Sequence, residues 1–225
     1  MENTICTNDI EIIFEDKDIL VINKPVGILS ENSQKGEKGI ISFLQNENRK
    51  DLHLLHRLDR EVGGVMVFAK NKKSASALST DIANGKFYKS YLAVTDGVPE
   101  GDEGIYKDLL FKDSKKNRSF VVNRMRKGVR EASLEYVVLK KSDKNALVRV
   151  LLHTGRTHQI RVQFSSRKTP LTGDGRYGSK DRESSIALYS HKIVFNHPST
   201  KEQVEFISTP DFNIYPWNVG CENNA

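Results

Sequence analysis

The chain has 225 residues, 37% of them hydrophobic, and a formal net charge of +6, so it is long enough for one large domain or two small subdomains without a stabilising metal or disulfide. Its two cysteines, Cys6 and Cys221, lie near opposite ends and lack the spacing of a zinc site or a disulfide framework, which favours a reducing, cytoplasmic location. The N-terminus has no secretory signal and no apolar run is long enough to span a bilayer, so we expect no membrane partner.

The predicted elements are mostly short strands with a few helices between them. Asn71 is expected to cap the second helix, and Gly85 follows its end. In chain order we predict strands Glu11–Phe14 and Ile19–Ile22, helix Gly39–Asn46, strand Gly63–Ala69, helix Lys72–Ala83, strands Phe87–Thr95, Leu134–Leu139 and Leu147–Leu152, helix Thr157–Phe164, and strands Ile186–Phe195 and Val204–Ile207. Because helices separate only some of the strands, this order indicates an α+β fold with a largely antiparallel or mixed sheet.

The run His56-Arg57-Leu58-Asp59-Arg60 places one acid among three basic residues. Positive neighbours favour the ionised form of Asp59, and an ionised carboxylate can act as a nucleophile. The same composition is typical of a surface salt-bridge cluster, which contributes little to stability. On this run alone the salt-bridge interpretation is favoured, so other parts of the chain have to decide.

One segment carries the excess of positive charge. Residues 111–130 contain eight basic residues and one acidic residue, a local charge of +7, whereas the rest of the chain is close to neutral at −1. The basic residues alternate with Phe111, Phe120 and Val121, a composition that suits a polyanion with unpaired bases. A solvated basic hairpin is the alternative, but a neutral protein has little solubility need for such a cluster, so we expect a nucleic acid partner.

A second polar run extends from Thr154 to Arg161. Gly155 permits a tight turn, Thr157 can cap the helix that follows, and Arg161 lies one turn later, away from the side of Ile160 and Phe164. If Arg161 is buried it needs a carboxylate, for which Asp59 is the candidate. The alternative is a helix start with an ordinary surface arginine.

Together these motifs resemble the RluA family of RNA pseudouridine synthases. The resemblance extends from about Ile12 to Pro210, in the family's order, and departs from it at Val62-Gly63-Gly64, where a hydroxyl-bearing turn is common, and at Gln163, where His is frequent. The motifs are Asn23-Lys24-Pro25-Val26-Gly27, His56-Arg57-Leu58-Asp59-Arg60, Lys89-Ser90-Tyr91-Leu92-Ala93, residues 154–161, Gly173-Asp174 and Tyr177-Gly178.

The resemblance implies an isomerase that detaches uracil from its ribose, turns the base and rejoins it through carbon. It implies the pseudouridine synthase fold, with a central, mostly antiparallel mixed sheet flanked by helices and loops and an active-site cleft across the sheet. We expect one catalytic domain over residues 1–225, with its core at about 10–212 and no separate N-terminal RNA-binding domain. A monomer that acts on ribosomal or transfer RNA without a cofactor is implied.

The family's site residues are carried over by position. Asp59 would be the catalytic carboxylate, Tyr91 would stack on uracil near the proton lost from carbon 5, and Arg161 would pair with Asp59. Arg57 would fill the gap left by the extruded base, and Ile160 would pack against the base or the catalytic side chain. Four residues would support the loops or contact phosphate: His56, Arg156, His158 and Gln159. The residues of the RNA patch are Lys112, Lys115, Lys116, Arg118, Arg124, Arg126, Lys127 and Arg130.

Two other functions remain as alternatives. The first is a non-catalytic RNA-binding or RNA-folding protein on the same scaffold. The second is a glycosidase with an Asp nucleophile, although neither polar run has an evident second carboxylate. No metal is expected, because the pairs His53 and His56, and His153 and His158, lack a metal-ligand pattern.

Overall fold

Strands and helices alternate along the chain largely as the hydrophobic pattern predicts, and additional strands fill its middle. The structure, a computed structural model, describes residues 10–45 and 49–220, so Cys6, Cys221 and the predicted helix end at Asn46 lie outside the described residues. The elements are β1 (Glu11–Glu15), β2 (Ile19–Lys24), α1 (Ile40–Leu44), β3 (His53–Leu54), β4 (Gly63–Ala69), α2 (Lys72–Ala83), β5 (Tyr88–Asp96), β6 (Glu103–Asp113), β7 (Arg118–Val122), β8 (Val129–Lys141), β9 (Asn145–Leu152), α3 (Gln159–Ser165), β10 (Leu188–Asn196) and β11 (Gln203–Ile207).

The chain divides into two compact units. The first unit comprises Met1–Lys89 and Ser190–Thr209, and the second comprises Ser90–Tyr189 and Pro210–Ala225. The α+β class with mostly antiparallel strands, predicted from the sequence, is confirmed, since the pairs β1–β2, β2–β4, β3–β4, β10–β11, β6–β7, β6–β8 and β8–β9 are all antiparallel.

The first unit is built on the strand order β1-β2-β4-β10, with β3 on β4 and β11 on β10. All seven residues of β4 are buried, which explains why this strand is a continuous apolar run in the sequence. Helix α2 packs Leu78 into a core that includes Val65, Val67 and Phe195, and each such side chain contributes about 1.5–3 kcal/mol through burial. The predicted cap is confirmed, because the Asn71 side chain accepts a 2.9 Å hydrogen bond from the Ser74 amide.

The second unit has the strand order β5-β9-β8-β6-β7, in which β6 and β7 were not predicted. In β6, Tyr106 and Leu110 point into the unit and alternate with charged residues that stay exposed or half-buried. Tyr106 packs against Tyr136 and Phe164, with ring centroids 4.8 and 5.1 Å apart. This aromatic cluster fixes the strands against helix α3.

Helix α3 differs from its prediction in two respects. It begins at Gln159 with His158 as N-cap, in the left-handed conformation at φ 53°, and no side chain caps it, so the predicted cap at Thr157 is wrong. All residues from Gln159 to Phe164 are buried, so the helix has no exposed face. The interpretation of Arg161 as an ordinary surface arginine is therefore wrong as well. Among the described residues, no helix is long and apolar enough to cross a membrane.

Candidate active site

The loop that carries Asp59 joins β3 to β4, and backbone hydrogen bonds hold it on both sides of that residue. The Ser30 hydroxyl donates to the Leu58 carbonyl (2.7 Å) and accepts from the Leu58 amide (3.0 Å). The Gly27 amide donates to the Arg60 carbonyl (2.8 Å), and the Val62 amide donates to the carbonyl of Asp59 itself (3.1 Å). The backbone around the predicted catalytic carboxylate is thus fixed before any substrate arrives.

Lys24 is a further support of this loop, which the sequence prediction did not identify. Its side chain is 1% exposed, and its Nζ donates to the carbonyls of Pro25 (2.9 Å), Arg60 (3.3 Å) and Val62 (2.9 Å). Burial lowers the pKa of Lys24 to about 8, while the carboxylates of Glu61 and Asp59 oppose this shift. A buried ammonium group therefore holds the backbone immediately after Asp59.

The buried ammonium predicts a specific dependence of stability on pH. Lys24 has a pKa of about 8 in the folded protein and its ordinary 10.5 when unfolded, so the unfolded chain binds more protons between these values. The free energy of unfolding should therefore gain about 3 kcal/mol from this group as pH rises from about 8 to 10.5, and this group should cause no change below pH 8, where Lys24 is protonated in both states. Urea denaturation of wild type and Lys24→Met over this range isolates the effect, and a constant difference between them would contradict it.

Gly63 and Gly64 stand where a hydroxyl-bearing turn is common after the catalytic Asp. For Gly64, steric contacts explain why the residue is glycine. This residue has φ +112°, and a Cβ atom built on it would lie 2.2 Å from the Ser190 carbonyl oxygen. Only glycine tolerates that approach of β10 to β4. The Ser190 hydroxyl in turn donates to the Val65 carbonyl at 2.9 Å.

The two arginines that flank Asp59 in the sequence pair with glutamates of the preceding loop. Arg57 pairs with Glu31 through Nη1 and Oε1, and Arg60 Nη2 lies 2.5 Å from Glu37 Oε2. Both pairs are exposed, so they contribute little to stability. The side chain of Arg57 is 57% exposed, which leaves it accessible to RNA.

His56 is a neutral, inward-facing histidine. Its Nε2 accepts a 3.2 Å hydrogen bond from the Val67 amide, and its ring lies 5.7 Å from that of Phe87. Burial lowers the pKa of His56 to about 3, with a smaller contribution from the charge of Lys89. These contacts favour loop support over phosphate binding for this residue.

The polar run from Thr154 to Arg161 forms a turn held by Gln159. The Gln159 Oε1 accepts from the Thr154 hydroxyl (2.7 Å) and the Arg156 amide (3.0 Å), and its Nε2 donates to the Ser133 carbonyl (3.0 Å). These bonds occupy the side chain of Gln159 inside the protein. Arg156, by contrast, is exposed, and its Nε donates to the Glu131 carbonyl at 2.9 Å.

Arg161 forms a buried ion pair with Asp174. Its Nε and Nη2 donate to the two carboxylate oxygens at 2.6 and 2.9 Å, and the side chains are 4% and 0% exposed. Two parallel hydrogen bonds of this kind fix both the position and the plane of the guanidinium group. In the sequence, Asp174 belongs to the motif Gly173-Asp174, which does not predict its ion pair with Arg161.

The three predicted catalytic residues are distributed over both units. Asp59 lies in the first unit, half-buried, whereas Tyr91 and Arg161 lie in the second. Tyr91 on β5 is 6% exposed and Ile160 is 4% exposed. The pairing of Asp59 with Arg161 and the stacking of Tyr91 on uracil stay predictions.

The predicted RNA patch occupies the end of β6, the β6–β7 turn, β7, the loop that follows it and the start of β8. Seven of its eight basic residues are exposed, the half-buried Arg118 being the exception. Phe111 and Phe120 are direct cross-strand neighbours, and the Cζ atoms of Arg126 and Arg118 lie 5.2 and 5.4 Å from their respective ring centroids. Val121, however, packs against the apolar core of the second unit.

One group among the described residues has metal-ligand atoms close together. Ligand atoms of Asp16, Asp18 and His197 lie within 4.8 Å of one another. Protein hydrogen bonds already engage them, since His197 Nε2 lies 3.0 Å from Asp16 Oδ2 and the Ser74 hydroxyl donates to Asp18 Oδ1 at 2.9 Å. The Ser199 hydroxyl and other donors lower the pKa of Asp18 to about 2. These hydrogen bonds explain why the three residues lie together, since they connect two turns to the start of α2.

Comparison with known proteins identifies the relatives of this chain. The RNA pseudouridylate synthase family matches residues 18–166. A protein of Buchnera aphidicola named ribosomal large subunit pseudouridine synthase C is 32% identical over 89% of this chain and 67% of its own length. A tRNA pseudouridine synthase C of Pasteurella multocida is 26% identical over 93% of this chain and 98% of its own length.

A solved structure shares the fold. Human RNA pseudouridylate synthase domain containing 4 superimposes with a TM-score of 0.75, at 26% identity, over 90% of this chain and 89% of that one. The chain spans between 65% and 72% of the length of several curated relatives that it matches. The matched range includes the positions of Asp59 and Arg161. The chain therefore belongs to the RNA pseudouridylate synthase family.

Proposed function

We propose that this chain isomerises specific uridines in RNA to pseudouridine, with Asp59 as the catalytic carboxylate. The observation that carries the proposal is the loop around Asp59, which Lys24 and Ser30 hold through its backbone within the part of the chain that matches the family. A fixed carboxylate can bond covalently to the sugar or the base, or stabilise the cationic sugar left when the glycosidic bond breaks. Moving one bond in this way needs no redox or nucleotide cofactor.

The same proposal assigns roles to three further side chains. Tyr91 stacks on the uracil, and Arg161 pairs with Asp59 and holds its carboxylate in position. Arg57 fills the gap that the target base leaves in a stem, since extrusion costs a few kcal/mol and a planar guanidinium can replace the lost stacking. The exposed position of Arg57 supports this role.

The substrate class is ribosomal or transfer RNA. The Buchnera aphidicola relative is named for the large ribosomal subunit and the Pasteurella multocida relative for tRNA, which supports either choice. Similar catalytic groups serve different RNAs, because RNA shape and surface loops select the site. We further propose a monomer in the cytoplasm, a location that the low cysteine content supports.

Two assays test the proposed function. Purified protein is incubated with ribosomal and transfer RNA transcripts, and pseudouridine is mapped by carbodiimide labelling and reverse transcription. Transcriptome-wide maps with and without the gene then identify the uridine. Pseudouridine at a defined position that depends on the gene supports the proposal, and identical maps would refute it.

The exposed patch predicts how binding depends on salt. The variant with Arg124→Glu, Arg126→Glu and Lys127→Glu should bind RNA at least about tenfold more weakly, and the slope of log affinity against log salt should fall by about 2, because three phosphate contacts are lost. Lys140, Lys144 and Arg149 are exposed in the same unit, so their change to Glu is a control matched in charge. Equal affinities of the two triple variants would contradict the assignment of the patch.

A further inference from the structure

Tyr177 lies in the segment between α3 and β10, and its side chain is 3% exposed in an apolar core with Leu110, Ala132 and Val162. Although its surroundings are apolar, both its hydroxyl and its ring contact polar residues of the two predicted functional segments. One segment is β7 of the basic patch, and the other is the start of α3. The sequence places Tyr177 in the motif Tyr177-Gly178 but predicts no role for it.

The hydroxyl of Tyr177 connects β7 to the N-cap of α3. It accepts a 2.8 Å hydrogen bond from the Ser119 amide and lies 3.0 Å from His158 Nδ1. Since its oxygen accepts from Ser119, its own hydrogen is available to Nδ1. His158 has a left-handed backbone at φ 53°, a conformation that is strained in a residue other than glycine and needs support from its surroundings.

The ring of Tyr177 lies against two guanidinium groups. The Cζ atoms of Arg161 and Arg118 are 5.2 and 5.1 Å from its centroid, within the range of a cation–π interaction. Arg118 also lies over Phe120, and its Nε is buried without a hydrogen-bond partner among the described residues. Aromatic contacts therefore have a large share in placing Arg118.

We propose that Tyr177 is a positioning residue that sets Arg118 of the basic patch and Arg161 of α3 in one arrangement. Its hydroxyl fixes the strained start of α3, and its ring seats the Arg161 guanidinium beside Asp174. RNA bound at Arg118 is thereby placed in register with Arg161. The inference rests on the proposed function, because it gives Arg161 a part in uridine isomerisation.

Three variants separate the hydroxyl from the ring. Tyr177→Phe loses only the hydroxyl, and we expect the single-turnover rate at saturating RNA to fall about tenfold. Tyr177→Leu also loses the ring, so we expect a fall of about 100-fold and an affinity about tenfold weaker. The control is Tyr136→Phe, since the buried Tyr136 hydroxyl donates to the Glu100 carbonyl at 2.8 Å in the same unit.

All rates are taken per folded molecule, below the unfolding temperature of every variant. Tyr136→Phe then keeps the wild-type rate although it loses a comparable hydrogen bond. A purely structural role of Tyr177 would leave its variants at the wild-type rate too, and that outcome overturns the proposal.

A second measurement does not depend on activity. The arginine Nε–H signals are recorded by NMR, and that of Arg161 is assigned by its absence in Arg161→Lys. Tyr177→Phe keeps the ring and should shift the Arg161 signal only slightly, whereas Tyr177→Leu should displace it strongly, because the ring beside the guanidinium group is gone. An unmoved Arg161 signal in Tyr177→Leu overturns the positioning role of Tyr177. This result does not depend on activity, whereas a wild-type chain that forms no pseudouridine would refute the proposed function.

Discussion

Asp59→Asn is expected to lower pseudouridine formation by about 10³-fold or more, because an amide can neither attack as a nucleophile nor balance a developing positive charge. The fold should persist, because the bonds that hold the loop come from backbone groups of Leu58, Arg60 and Val62. We expect the free energy of unfolding to change by about 1 kcal/mol or less and RNA affinity to change little. Pseudouridine is quantified in the transcript that the wild-type protein modifies.

Glu61→Gln is the matched control for this change. Glu61 is an exposed carboxylate two residues after Asp59 on the same loop. Like Asp59, it raises the pKa of Lys24. Its neutralisation should leave the rate unchanged. Wild-type activity of Asp59→Asn would refute the proposed mechanism.

The same variant discriminates between the alternative functions. A non-catalytic RNA-binding or RNA-folding protein would let Asp59→Asn complement a gene deletion in full, whereas an isomerase would not. A glycosidase would release free uracil or leave an abasic ribose in the RNA, and pseudouridine would not form. Membership of the RNA pseudouridylate synthase family favours the isomerase.

Local sequence signals predicted the elements whose structure is determined locally. Strand β4 is a run of seven apolar residues, and α2 has both its cap at Asn71 and its hydrophobic spacing within the helix itself. Strand β6 was not predicted because its charged residues obscure the alternation, and β7 was not predicted because it has only five residues. Their pairing with each other and with β8 is a contact between distant segments. The β-pattern becomes visible only when the partner strand is known.

The supports of the candidate site were missed for the same reason. The sequence does not predict the contact of Asp174 with Arg161, because thirteen residues separate them and no periodicity connects them. Lys24 is buried against three carbonyl groups, an environment that the composition of a strand does not indicate for lysine. Motifs therefore located the chemical groups, while the groups that hold them depend on tertiary contacts.

The buried pair of Arg161 and Asp174 leads to the second large effect. Asp174→Leu removes the carboxylate that accepts two hydrogen bonds from the buried Arg161 guanidinium, and we expect the free energy of unfolding to fall by about 3–5 kcal/mol. Arg161→Met leaves the buried Asp174 carboxylate without this arginine, and the free energy of unfolding should fall by a similar amount. The double variant removes both charges, so its stability should exceed that of either single variant by at least about 2 kcal/mol.

The activity of the double variant, unlike its stability, should not recover. Comparing the two shows whether the pair of Arg161 and Asp174 serves the reaction or only the fold. Stability is measured by urea denaturation, and pseudouridine formation is measured per folded molecule. If Arg161 acts on Asp59 as proposed, the double variant folds but stays inactive, because a methionine cannot donate hydrogen bonds that hold the Asp59 carboxylate in position. A double variant with both restored stability and wild-type activity would show that the pair serves only the fold, and would remove Arg161 from the catalytic residues. Inactivity with restored stability assigns the buried arginine to the chemistry, since the fold no longer requires it.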